Sequence, residues 1–153
     1  MADNAAQEFL EFFEIGNAEA IEAAMLQADL GVVVDWDEAD DIIVQDFADF
    51  VGRELTCQRT PDNDLEVSYK DRTAKVGLKG ENEDRDRTVR AIHAVLTPDY
   101  EFRVLRSSLG CDCLCYIVEK PATWQAAEAQ APEVLQEMFL PYSEEIGFDY
   151  VDG

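Results

Sequence analysis

The stretch YEFRVLRSSLGCDCLCYIVEK, residues 100–120, decides the fold. Two runs rich in aromatic and β-branched residues flank the turn-forming residues 107–110, the pattern of an antiparallel hairpin. Side chains alternate along a strand, so Cys111, Cys113, Cys115 and Ile117 share one face while Asp112, Leu114, Tyr116 and Val118 share the other. A turn closed by residues 107–110 places Val104 opposite Cys113, Phe102 opposite Cys115 and Tyr100 opposite Ile117. Two of the thiols then line an apolar core, where cysteine acts as a small hydrophobe.

That spacing also argues against metal binding. Successive residues on one face of a straight strand lie ~6.6 Å apart, whereas thiolates sharing a zinc ion at ~2.3 Å bonds stand within about 4 Å of each other. The C-x-C-x-C pattern therefore implies no metal and no other cofactor. Cys111, at the end of the hairpin, keeps a claim to chemistry as a thiol, with Cys57 as its partner in a metal or redox pair.

Upstream, residues 65–79 read as an earlier hairpin. LEVSYK and TAKVGLK flank Asp71 and Arg72, pairing Leu65, Val67 and Tyr69 with Leu78, Val76 and Ala74 on one face. ELTCQR, residues 54–59, is a further strand. Between the hairpins, residues 81–97 read as a loop and a helix with Val89, Ile92 and Leu96 inward, stopped by Pro98. Its edge carries His93, the one histidine of the chain, which reads as a partly buried boundary residue, since the order and spacing of cysteine, histidine and aspartate fit no nucleophile motif.

The N-terminal third is helical. Phe9, Phe12 and Phe13 recur at helical spacing up to Gly16, and Asn17 caps a second helix with Ile21, Met25 and Ala28 inward. VVVDW, residues 32–36, is a short strand or buried connector. Asp35 and Glu38 fit a capping box for a helix over 37–52 with an apolar face of Ala39, Ile42, Ile43, Phe47, Phe50 and Val51. Asp46 falls inside that face, so it either meets a cation such as Arg53 at the edge or is a functional buried carboxylate. Toward the C-terminus, Pro121 and Pro132 open two short helices, followed by an acidic, aromatic tail.

These readings assemble into an α+β fold of one domain over residues 1–153. It divides into a helical hairpin (1–30), a mixed core (31–120) and short helices with a tail (121–153). The sheet holds four to five antiparallel strands with helices mainly on one face.

Charge is the strongest functional signal. The chain carries 34 acidic and 12 basic residues, a formal net charge of −22. Residues 1–52 hold 14 acids and no base, residues 53–120 hold 13 acids and all 12 bases, and residues 121–153 hold seven acids and no base. Such a surface repels nucleic acid and anionic lipid and draws basic partners over long range. The acidic clusters miss the calcium-loop template: counting from Asp35, its fifth and sixth places fall on Ala39 and Asp40, and counting from Asp62 the sixth falls on Val67. No phosphate-binding glycine loop or zinc-helix motif is present. The opening residues lack a basic, then apolar, leader and no window reaches about 18 apolar residues, which points to the cytoplasm.

The composition thus favours a binding module over an enzyme. Its surface is expected on the outer face of the second hairpin, with Glu101, Arg103, Leu105, Asp112, Leu114 and Tyr116, together with the acids Asp37, Glu38 and Asp41. A basic protein is the expected partner, in the manner of an inhibitor or immunity protein capping a nucleic-acid-binding or nuclease surface. The alternatives are a small ligand-binding domain or enzyme using Asp46 or Cys111, and a housekeeping domain whose acidity serves solubility.

Overall fold

Two short helices, α1 (Asn4–Phe12) and α2 (Ala18–Gln27), open a computed structural model that describes residues 4–143 and 145–147. The Asn17 side chain accepts the backbone N–H of Ala20 at 2.8 Å, which caps α2 as its sequence predicts. There follow β1 (Val32–Asp35), α3 (Asp40–Val51), β2 (Leu55–Arg59), β3 (Leu65–Tyr69), β4 (Arg72–Lys75) and α4 (Asp84–Leu96). The chain continues with β5 (Glu101–Leu105), a 3-10 turn at Arg106–Ser108, β6 (Cys113–Glu119), α5 (Pro121–Gln130), α6 (Pro132–Met138) and β7 (Phe139–Pro141). Pro121 and Pro132 occupy the first turns of α5 and α6, where the missing N–H costs nothing. The fold is α+β. Among the described residues, no helix is long and apolar enough to cross a membrane.

The strands form two antiparallel sheets, one ordered β1-β6-β5-β7 and one ordered β2-β3-β4. In the larger sheet Phe102 pairs with Val118 and Val104 with Tyr116. The sequence places Cys115 and Cys113 at those positions, so the observed register differs by three residues. An odd shift reverses every face. Its cause is the connection, which is a seven-residue loop (106–112). Ser108 Oγ fixes that loop by donating to the Leu105 carbonyl at 2.7 Å and accepting the Cys115 N–H at 3.1 Å.

The consequence is a sheet covered on both sides, where sequence reasoning put the helices mainly on one. Phe102, Val104, Leu114, Tyr116 and Val118 join a core with α3, α4 and the smaller sheet. Leu105, Cys115 and Ile117 join a second core with Phe9, Ile21, Met25, Trp124 and Leu135 of α1, α2, α5 and α6. Residues 114–118 are all buried, and their unbroken apolar run is the pattern of a strand with two covered faces. The smaller hairpin differs by a smaller step. Lys70 and Asp71 form its turn, with Lys70 at a φ of 55°, so Val67 meets Ala74. That shift of two keeps the same faces in contact.

Two details of α3 also change. Asp35 pairs with Cys113 inside β1, so it cannot open a helix, and Ala39 stands at the N-cap without a side-chain hydrogen bond. The buried stripe is Ile43, Val44 and Phe47, while Ile42 and Phe50 are exposed. Asp46 lies on the line joining those two, one turn from each.

Of the acidic tail, β7 pairs with β5 and Ile146 is buried in the core with α4. The expected tail residues 144 and 148–153 lie outside the described residues.

Candidate functional site

The structure separates the residues that the sequence places on one binding face. Leu105, Leu114 and Tyr116 are 2%, 0% and 1% exposed, in two different cores. They are packing residues. Arg103 lies over the Trp124 ring, 4.5 Å from its centroid, and its Nε donates to Glu101 Oε2 at 2.9 Å. Its Nη2 reaches Glu128, and Trp124 Nε1 donates to the Glu101 carbonyl at 2.9 Å. Glu101 and Arg103 therefore fasten α5 to the sheet. Of that group only Asp112 remains on the open surface.

The loop from β1 to α3 gathers four carboxyl groups into two pairs. Asp35 Oδ1 accepts the backbone N–H of Asp37 at 3.3 Å, and Cys113 Sγ donates to Asp35 Oδ2 at 3.4 Å. A hydrogen bond from the Asp37 side chain, its backbone N–H and the thiol hold the Asp35 carboxyl below its usual range. The Asp37 carboxyl is raised by the same contact with Asp35.

The second pair is Glu38 and Asp46. Glu38 buries its Oε2 without a donor among the described residues. Burial, then the hydrogen bond and charge of Asp46, push its carboxyl up to about 7. Asp46 thus meets a second acid, where the sequence suggested Arg53. Asp41 is exposed, and Asp40 at the start of α3 holds Arg85 and Thr88 of α4.

Next to this loop a cavity of about 380 Å³ is lined by Trp36, Asn82, Glu83, Asp86, Gly110, Cys111 and Asp112. It brings Cys111 and Asp112 together with an exposed tryptophan. Cys57 lies in the other sheet, opposite Val67, and all four cysteines are free. Among the described residues, no group of three or more histidine, cysteine or acidic side chains has the arrangement to hold a metal ion. Cys115 is buried, and burial pushes its thiol up to about 11. His93 is half-buried, with ring centroids 5.2 Å from Phe102 and 4.7 Å from Tyr142.

A larger groove of about 540 Å³ runs between α1 and the ends of α3, β5 and β6. Phe12, Ile15, Leu30, Phe50, Tyr100 and Val118 supply its apolar walls, and Glu8, Glu11, Glu119 and Lys120 supply its charges. Sequence reasoning missed this groove. It took Phe50 for core, and Ile15, just before Gly16, falls outside the stripe of α1. The available signal was the offset between Ile42 and Phe50 on one side of α3 and Val44 on the other.

Comparison with protein-family models, curated proteins and solved structures finds no match to this chain.

Proposed function

We propose that this chain is an acidic cytoplasmic protein-binding module whose partner is basic, its carboxylates standing where phosphates would sit on an inhibited nucleic-acid-binding or nuclease surface. The observation that carries this reading is the distribution of charge over the layers. The helices α1, α2, α5 and α6 bear Glu8, Glu11, Glu19, Glu22, Glu128, Glu133 and Glu137 but no lysine or arginine.

Five of the cations elsewhere are paired with carboxylates within the molecule. Arg85 binds Asp40, Arg87 binds Asp84, Arg103 binds Glu101 and Glu128, and Lys70 and Arg72 share Asp99. The helical layer therefore meets solvent as a mainly acidic surface, with Lys120 at the start of α5, suited to steering and selecting a basic partner. A second reading, acid–base chemistry by Glu38 and Asp46, has its support in the raised carboxyl of Glu38, which burial and then the neighbouring Asp46 produce. The two cavities above are lined by other residues.

The test is capture from native lysate on the immobilised protein at about 50 mM salt, then at about 0.5 M, where the screening length is several-fold shorter. The expected result is enrichment of basic proteins that high salt releases and added duplex DNA displaces. Capture unchanged by salt, or without basic proteins, overturns the reading.

A further inference from the structure

We infer that the groove between α1 and the ends of α3, β5 and β6 receives an amphipathic basic helix of the partner, whose apolar side chains seat between Ile15 and Phe50. This rests on the basic-partner reading and adds where the partner docks and by what chemistry. Ile15 and Phe50 line the same groove and are 47% and 38% exposed. Half-buried Phe12, Leu30 and Tyr100 continue the apolar surface beneath them.

At about 540 Å³ the groove has the size of a ligand pocket and room for a few large side chains. Apolar anchors read from one face of a helix are the standard occupants of such grooves. The charge at the rim selects among them. Glu8 and Glu11 lie one turn apart on α1 and are exposed, and among the lining residues described the cation is Lys120. Lysines or arginines flanking the anchors meet those carboxylates. A second copy of the chain would bring another net charge of −22 against the same face, which disfavours self-association.

Three fluorescein-labelled peptides test the inference by anisotropy: an amphipathic helix of leucine and lysine about 14 residues long, a scramble of identical composition, and an oligolysine of equal charge. The amphipathic peptide is expected to bind about tenfold more tightly than the other two. Replacing both anchors, Ile15→Ser with Phe50→Ser, removes that advantage and leaves oligolysine binding unchanged. Both side chains lie outside the two buried cores, and circular dichroism checks that the variant folds.

Equal binding of the three peptides, or an advantage that survives in the variant, overturns the inference. If oligolysine still binds in a salt-dependent way, the groove assignment fails and the basic-partner reading stands. If oligolysine does not bind even at low salt, both fail. Sedimentation of the free protein covers the remaining occupant: a dimer dissolved by the double substitution overturns the inference in favour of a second copy.

Discussion

Asp40 holds Arg85 by both arms of its guanidinium, with Nε at 2.9 Å from Oδ1 and Nη2 at 2.7 Å from Oδ2. The pair joins the first turn of α3 to the first turn of α4, and Thr88 Oγ1 adds a donor to the same carboxylate at 2.7 Å. Both side chains are largely buried, so removing one partner leaves a charge poorly solvated. Arg85→Ala is expected to cost about 2–3 kcal/mol by urea denaturation, because a broken buried pair costs more than a surface pair contributes. A change within about 0.5 kcal/mol would show that the pair behaves as a surface contact.

Stability should have two pH limbs. Backbone N–H groups of Leu78, Leu65 and Gly77 hold Asp64 below its usual range. Burial pushes Asp84 up, but the N–H groups of Lys79, Gly80 and Glu81 and the Arg87 guanidinium outweigh it and hold it low. Such depressed carboxyls stabilise the fold above about pH 4, and that stability is lost as the pH falls through their folded-state values.

Glu38 acts with the opposite sign. Its carboxyl is raised from 4.5 to about 7, so between those values the folded state keeps a proton that the unfolded chain releases. Stability therefore falls as the pH rises through that window. Glu38→Gln is expected to raise the urea midpoint near pH 8 and to leave it unchanged near pH 4. The exposed Glu19→Gln serves as the control for net charge. Equal gains from both substitutions would mean that general repulsion, not the Glu38–Asp46 contact, sets the effect.

Thiol labelling should discriminate the cysteines by burial. Cys111 is exposed and is expected to react first with Ellman's reagent. Cys115 is buried with its thiol pushed up to about 11, and Cys113 is raised by burial and then by its bond to Asp35. Both should lag behind it, Cys115 the more, since the thiolate is the reactive form. Cys111→Ser should remove the fast phase. Mass mapping that finds Cys115 modified in that phase would falsify the placement of β6.

Local chemistry made part of this fold legible. Asn17 marks the start of α2, Pro121 and Pro132 mark two helix starts, and the alternation of Leu65, Val67 and Tyr69 marks a strand with one buried face. Each signal acts within a few residues. The unusual position of Asp46 was also legible, as an acid inside an apolar stripe. Its partner was not, because Glu38 reaches it through a loop that follows from the pairing of β1 with β6.

The sequence by itself determined the starts of α2, α5 and α6, the strands of the two hairpins, the α+β class and the segregation of charge, since these depend on local propensity and on counting. Only the tertiary structure decided the register of β5 on β6, the cover on both faces of that sheet and the exposure of Phe50. Those depend on Ser108 closing a long loop and on helices from both ends of the chain packing on opposite faces. A three-residue slip reverses the faces of a strand without changing any local preference, so no reading of residues 100–120 alone separates the two arrangements.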